Sequence, residues 1–538
     1  MKTTPLPARI AEMAAITRME RGHLSVIRTG PDGQPYHNLQ HRENGRNVTE
    51  YIPRDEVPAV QEHVAAYERF KQLVDEHLDE VSELSRQERK AGVKKKTPDT
   101  GNFALAREQE VQNLIAAFRS AQPGGTLVAD LEKLLRTAIF KPAAQLVGQL
   151  LQEAADRIDA AYQPKPGEVR KGRHSLVVQG IFGCFLLRRD YHYHPGKQLG
   201  HHPADAALGL EGSHTPALSR LICLEGSDES SYQKAAVHLE EVGGIVVGER
   251  QIQREVLRLG PAAAAWLRRE SPPQACDATV IYIEADYTGL PMRPEELEGR
   301  KGKAPDGQAK TRMAALGCVF TQHKLDKEGR PLRDLQSTTY LAGFESPSDF
   351  GIGLRREAIR RGMGGVDNVV LLVDGAVALE EMGRDYFPHA TQIVDNFHAM
   401  EHLEALIEAL LTKNDPGRFD RRRHHWRKLL LADGVERIIR WARREALGTP
   451  RESAVEAQLG YFVHNVARMR YGTFRKQGLF IGSGVIEAGC RSVIGSRCKQ
   501  SGMFWTEEGA SAVMALRCLN AGGRLTAFWL ARHVALAA

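Results

Sequence analysis

Three short segments, far apart in the chain, each carry one carboxylate out of an apolar or small-residue setting. They are Val280-Ile-Tyr-Ile-Glu-Ala-Asp286, Val369-Val-Leu-Leu-Val-Asp374-Gly-Ala and Gly482-Ser-Gly-Val-Ile-Glu487-Ala-Gly-Cys. Phosphodiester chemistry gathers negative charge in its transition state, and two divalent ions about 4 Å apart stabilise both the attacking and the leaving oxygen. Mg²⁺ takes oxygen ligands, keeps waters and needs only a few protein carboxylates. Asp286, Asp374 and Glu487 fit that need: Asp286 would bridge two Mg²⁺ (or Mn²⁺) ions, with Asp374 and Glu487 each binding one side. Each acid also has a structural reading. Asp374-Gly is a common turn pair, or a helix cap; Asp286 ends a strand; Glu487 complements a helix dipole. Taken together and in order, they point to metal-dependent cutting and joining of nucleic acid.

The elements that must position them follow from periodicity. The first two acids close apolar runs that read as buried strands, and the third opens a helix after a Gly-rich stretch at 479–489. Further strands are expected at 313–320, 338–344, 368–373 and 390–394, with a helix through Arg355–Arg361. Strands first, then strand–helix alternation, describe an α/β mixed sheet flanked by helices. Residues 396–480 are nearly all helical and basic, an insertion before the last acidic helix. The catalytic region is therefore read as 273–412 and 478–538, split by a helical block at 413–477. Ahead of it, Leu24–Arg28, Pro31-Asp-Gly33 and Tyr36–His41 read as a hairpin. A helix follows from about Val57 to Lys90, giving a first region over 1–96 that ends in a basic linker at 89–98. Residues 97–165 read as helical. Region 166–272 starts with strands near Ser175–Leu187. It ends in two helices about the turn Gly243–Gly248, spaced as in a helix-turn-helix or an ordinary helical hairpin.

Bulk properties narrow the class. The chain has 538 residues, a formal charge of +6, 42% hydrophobic and 26% charged residues. That charge suits an anionic partner. No apolar run approaches the ~18 residues of a membrane helix, and the start Met-Lys-Thr-Thr-Pro-Leu-Pro lacks the apolar core of a signal peptide. Seven scattered cysteines without a Cys-x-x-Cys pair argue against a disulfide framework and a zinc ribbon. The expectation is a reduced, cytoplasmic protein. His192, His194, His201 and His202 offer possible zinc ligands, although a hairpin with surface histidines accounts for them as well.

The string Gly482-Ser-Gly-Val-Ile-Glu487-Ala-Gly-Cys-Arg491-Ser-Val-Ile-Gly-Ser-Arg497-Cys-Lys499-Gln-Ser-Gly-Met-Phe-Trp505-Thr-Glu-Glu-Gly resembles the ISKra-type insertion-sequence transposases, relatives of the Mutator-like DDE group. The resemblance covers roughly 275–525. It implies a ribonuclease-H-like catalytic domain with Asp286, Asp374 and Glu487 as its DDE triad. Duplex DNA is the implied partner, as terminal inverted repeats and target, and the implied assembly is a dimer or larger. Such a protein is bacterial and nucleoid-associated. Ile393-Val-Asp395-Asn-Phe-His398 is similar to the family's Asp/Cys-x-x-His element, implying a supporting pair, although Asp395 also rivals Asp374 as second acid. Relatives often carry cysteine pairs near 192–202; this chain does not. Within the insertion, Arg421, Arg422, Arg423, Trp426, Arg427 and Lys428 combine cations for phosphates with an aromatic for base stacking. Arg491, Arg497 and Lys499, just beyond Glu487, are candidates for holding a phosphate. Two other functions fit the same features: a non-catalytic, domesticated DNA-binding protein, and a nuclease without strand transfer.

Overall fold

The computed structural model describes residues 15–43, 46–90, 127–302, 309–411 and 416–537, with isolated residues at 12, 112–113, 115–116 and 119. The basic linker at 91–98 lies outside them. Two compact units divide the chain, Met1–Asn113 and Leu114–Ala538.

In the first unit, strands β1 (His23–Thr29), β2 (Pro35–Glu43) and β3 (Arg46–Ile52) form an antiparallel sheet, joined to helix α1 (Val57–Lys90). The hairpin turns at Pro31-Asp-Gly33, where Gly33 has φ +75° and so avoids the Cβ penalty of the left-handed region. Leu39, Ile52 and Val60 make its small core.

The second unit begins with α2 (Leu127–Ala161). An antiparallel sheet of β4 (Val169–Gly180), β5 (Gly183–His194) and β6 (Leu199–His201) follows, then the short α3 (Pro203–Ala207). The expected helix pair is present as α5 (Tyr232–Gly243) and α6 (Glu249–Arg268), with left-handed Gly244 ending α5. A third helix, α4 (Pro216–Asp228), joins them. Gly226 makes the crossing close, because a Cβ there would stand 2.6 Å from Ile252.

The main sheet contains β7 (Val280–Pro291), β8 (Thr311–Leu325), β9 (Pro331–Arg333), β10 (Thr339–Gly343), β11 (Asn368–Val373) and β12 (Thr391–Val394). Its order is β10-β8-β7-β11-β12, with β9 paired to β8. β8 is antiparallel to its neighbours β7 and β10, whereas β11 is parallel to β7 and β12. Central β7 is covered on both faces, which is why Val280–Ala285 reads as one apolar run broken only by Glu284. α7 (Pro347–Arg360) and α8 (Val377–Tyr386) cover one face, where Gly317 and Gly383 admit Leu354 and Leu371.

After β12 come α9 (Asn396–Leu410) and a helical block of α10 (Pro416–Leu430), α11 (Val435–Ala446), α12 (Glu452–Asn465) and α13 (Tyr471–Lys476). The chain then returns to the sheet through α14 (Gly484–Gly489), a π-helical turn at Cys490–Gly495 and α15 (Ser496–Cys498). It closes with α16 (Glu507–Ala521) and α17 (Leu525–Ala537). α14 lies on the sheet face opposite α7, with Gly489 against Tyr340 and Leu316. α16 meets α6 where a Cβ on Gly260 would stand 2.2 Å from that of Ala512.

Candidate active site

Strand β7 does not end at Asp286. It continues to Pro291 because β8 pairs it throughout, from Val280↔Gln322 past Asp286↔Leu316 to Pro291↔Thr311. What ends there is the parallel neighbour. β11 pairs β7 as far as Leu372↔Glu284 and stops at Val373. Two residues further along that register, Asp374 stands level with Asp286. Burial pushes the Asp286 carboxyl above its usual range, and the charge of Asp374 adds to the effect. The chain turns sharply after Asp374 through Gly375, at φ +88°. The Asp374 Oδ1 accepts from the Ala376 N–H at 2.8 Å, and the Tyr461 hydroxyl donates to the Asp374 carbonyl at 2.9 Å. Tyr461 itself stacks on His402, ring centroids 3.6 Å apart.

The helix that carries Glu487 is held to β7 by two ties. The Ile486 N–H donates to Glu284 Oε2 at 2.8 Å, and the Cys490 thiol points at Asp286 Oδ2 at 3.5 Å. The Ser483 hydroxyl donates to Glu487 Oε1 at 3.2 Å. Glu284 and Asp286 share one face of β7 because strand side chains alternate. Glu284 is fully buried, its Oε1 has no partner, and desolvation lifts its carboxyl to about 8. Burial thus favours its protonated form, and its Oε2 accepts the Ile486 N–H hydrogen bond at the start of the Glu487 helix. The sequence signal was available: one Glu in an apolar strand, two residues from an Asp.

Asp395 is placed differently from Asp374. It is fully buried at the end of β12 and caps α9. Its Oδ2 accepts from the His398 N–H and faces His398 Nδ1, both at 2.9 Å, while its Oδ1 accepts from the Ser483 N–H at 2.7 Å. Asp395 therefore clasps the strand end to the loop that carries Glu487, and Asp374 is left as the acid facing Asp286. The Asp395 carboxylate holds the His398 imidazole near pKa 9, against the desolvation that opposes it. The charged ring in turn draws the Asp286 carboxyl downward. Phe397, beside it, is 58% exposed.

These three acids do not form a single-ion cage. Among the described residues, only Glu225, Glu229 and His238 bring ligand atoms within 4.8 Å of one another. There His238 pairs with Glu225 at 2.6 Å on a half-buried surface. Asp286 and Asp374 face each other on adjacent strands and Glu487 lies on the helix tied to β7, three carboxylates of the hard oxygen type that divalent Mg²⁺ or Mn²⁺ takes. The carboxyl at Asp286, raised by burial and by a like charge, is one that a cation would return to its ionised form.

The basic candidates separate by position. Arg421, Arg427, Lys428 and Arg491 are exposed and make no ion pair among the described residues. Arg422 pairs with Glu445 at 2.7 Å and Arg423 with Glu404 at 3.4 Å. Trp426 is no stacking platform: it is 1% exposed, packed with Leu429 and Leu430 in the core of the helical block. The exposed tryptophan there is Trp441, at 43%, stacked on His425. Arg497 is likewise no phosphate holder. It is fully buried, donates to the Gly226 and Ser230 carbonyls, and lies over Tyr232 and Trp505. Lys499 remains exposed beside β7, its ammonium donating to Thr288 Oγ1. The histidines at 192–202 form no metal-ligand group among the described residues. His192 is buried with both ring nitrogens unpartnered, its ring edge-on to Tyr162.

A family described as a domain of unknown function, DUF6788, matches residues 3–62. No curated protein matches the chain. Among solved structures, the Drosophila P element transposase strand transfer complex is 11% identical, over 57% of this chain and 79% of that one, with a TM-score of 0.22. At that score the likeness carries no argument for this site. No helix among the described residues is long and apolar enough to cross a membrane.

Proposed function

We propose that the chain is a DDE transposase of the ISKra kind, with a ribonuclease-H-like catalytic domain that cuts element ends and joins the freed 3′-hydroxyl to target DNA. The observation that carries this reading is the meeting of Asp286 and Asp374 on adjacent parallel strands with the Glu487 helix tied to the same strand. The mixed order β10-β8-β7-β11-β12, interrupted before its last helices by a basic helical block, supports it. When bound, two Mg²⁺ or Mn²⁺ ions stabilise the attacking and leaving oxygens of an in-line displacement. The chain's residues do the rest. Asp286, Asp374 and Glu487 would hold the ions through their carboxylate oxygens, and Glu284 and Cys490 fix the helix that presents Glu487. Asp395 fixes the loop ahead of it, and charged His398 sets the electrostatics of the acid pair. Lys499, exposed beside β7, and Arg491, exposed four residues past Glu487, position phosphates of the scissile strand. Arg421, Arg423, Arg427 and Lys428 extend that surface along the helical block, and the α5–α6 pair offers a second contact with duplex DNA. The working form in this reading is a homo-multimer.

The test is strand cleavage and joining on element ends, with Mg²⁺ or Mn²⁺, by Asp286→Asn, Asp374→Asn and Glu487→Gln variants. Each variant is expected to lose at least about three orders of magnitude in rate while still binding DNA. Undiminished, metal-dependent cleavage in any one of them removes that acid from the site. Tight DNA binding by the unmodified protein with no cleavage under either metal would instead support a non-catalytic DNA-binding protein.

A further inference from the structure

Away from the three acids, the structure holds a recess of about 670 Å³ at the edge of the main sheet, between the start of β10, the end of α7 and the ends of α6 and α16. None of Asp286, Asp374 and Glu487 lines it. Its wall carries five arginines, Arg269, Arg333, Arg360, Arg361 and Arg524, and the ring of Trp266, with no lysine and no carboxylate. One acid, Glu357, stands behind the wall, 3% exposed, and it is already committed. It pairs with both Arg360 and Arg524 and accepts from Thr339 Oγ1 at 2.5 Å. The other three guanidiniums form no ion pair among the described residues. Arg333 donates to Thr338 Oγ1 at 3.2 Å, Arg361 donates to the Ser337 carbonyl with its Nε buried and unpartnered, and Arg269 lies 3.5 Å over Trp266. Arg524 covers the same ring at 4.7 Å.

Five positive groups around one recess repel each other. Burial pulls the Arg524 guanidinium down to about 10, with Arg360 pushing the same way and Glu357 opposing. Burial and the charge of Arg360 lower Arg269 and Arg361 in the same sense. A fold keeps such an arrangement when something anionic offsets it. Planar guanidiniums match the tetrahedral oxygens of phosphate in paired hydrogen bonds, which an ammonium does not. The volume lies in the range of small-molecule sites, roughly 300–1,000 Å³.

We infer that this arginine recess binds closely spaced phosphate groups, at a site separate from the acids. The chemistry is shared by two sources, a free polyphosphate and the backbone of a nucleic acid strand. The inference stands on the recess alone and does not depend on the transposase reading.

The experiment uses the full chain, titrated calorimetrically with inorganic tripolyphosphate and with citrate, and by filter binding with a duplex oligonucleotide over a salt series. Arg269→Gln/Arg333→Gln leaves the Glu357 network intact, Arg361→Gln removes the guanidinium whose Nε is unpartnered, and Arg384→Gln on α8 serves as a control outside the recess. Thermal melts confirm that each variant folds. The expected result is tripolyphosphate binding that weakens about tenfold or more in the double variant and in Arg361→Gln, and not in Arg384→Gln. If only duplex binding weakens, with the slope of log K against log salt falling by about one per arginine removed, the phosphates belong to nucleic acid. Unchanged binding of both probes in the recess variants overturns the inference, as does citrate binding as tightly as tripolyphosphate.

Discussion

Glu284→Gln tests the claim that a neutral carboxyl supports the Glu487 helix. In the fold Glu284 is fully buried with its carboxyl lifted from 4.5 to about 8. A carboxyl raised in the folded state favours folding below its unfolded value, and that contribution is lost as pH rises through the folded value. Between pH 5 and pH 8 the folded protein must therefore keep a proton that the unfolded chain has released. Roughly three units at 1.36 kcal/mol each make this about 3–4 kcal/mol of stability lost across that window. Glutamine retains the carbonyl that accepts from the Ile486 N–H and has no proton to lose. Urea unfolding of the full chain in EDTA, at pH 5 and pH 8, measures the difference between wild type and variant. The variant should gain about 3–4 kcal/mol relative to wild type on going from pH 5 to pH 8, and it should retain cleavage activity when metal is returned. A difference between the two proteins that is constant with pH would refute the reasoning, since Glu284 would then be ionised in the fold or ordinary in its titration.

Three further outcomes are expected. Trp426→Ala should destabilise by about 3–5 kcal/mol in urea, as a buried large-to-small change does. Trp441→Ala should stay within about 0.5 kcal/mol of wild type while weakening DNA retention on filters. Asp395→Asn should bring the His398 ring from about 9 down toward 6.5, read by the imidazole carbon shifts in a pH titration; an unchanged value would mean that another group sets its charge.

Much of the frame around these acids was legible in the residues. The runs ending in Val373 and Val394 are parallel strands, the Gly-rich 482–489 segment does open a helix, and the α5–α6 pair lies where its caps and glycines put it. What was not legible depended on partners far away in sequence. Asp286 looked like a strand end because the apolar run stops there, yet β8 continues pairing to Pro291. Trp426 read as an aromatic among cations, and only its spacing to Leu429 and Leu430 signals an inward face. Arg497 read as free cation because its carbonyl partners, Gly226 and Ser230, lie some 270 residues earlier. The different placing of Asp395, whose Oδ1 accepts from the Ser483 N–H, is a contact that no local pattern encodes. Strand β3 was not resolved as its own run because Arg-Asn-Val-Thr-Glu-Tyr-Ile is largely polar.

The π-helical turn at Cys490–Gly495 acts as a phase shifter. In an α-helix each residue advances by 100°, so every position after Glu487 would keep a fixed angular relation to the acids. A π turn closes i→i+5 bonds, which is equivalent to slipping one extra residue into the coil. Cys490, at its start, still faces Asp286, while Arg497, just past it, is turned into the α4–α5 junction. One continuous coil thereby serves two surfaces, the acids before the slip and the helical layer after it. Removing a single residue from this turn would restore α geometry and rotate everything downstream by about one residue's step. Lys499 would leave β7 and Arg497 would lose its carbonyls. This short stretch is where the chain should tolerate substitution far better than deletion.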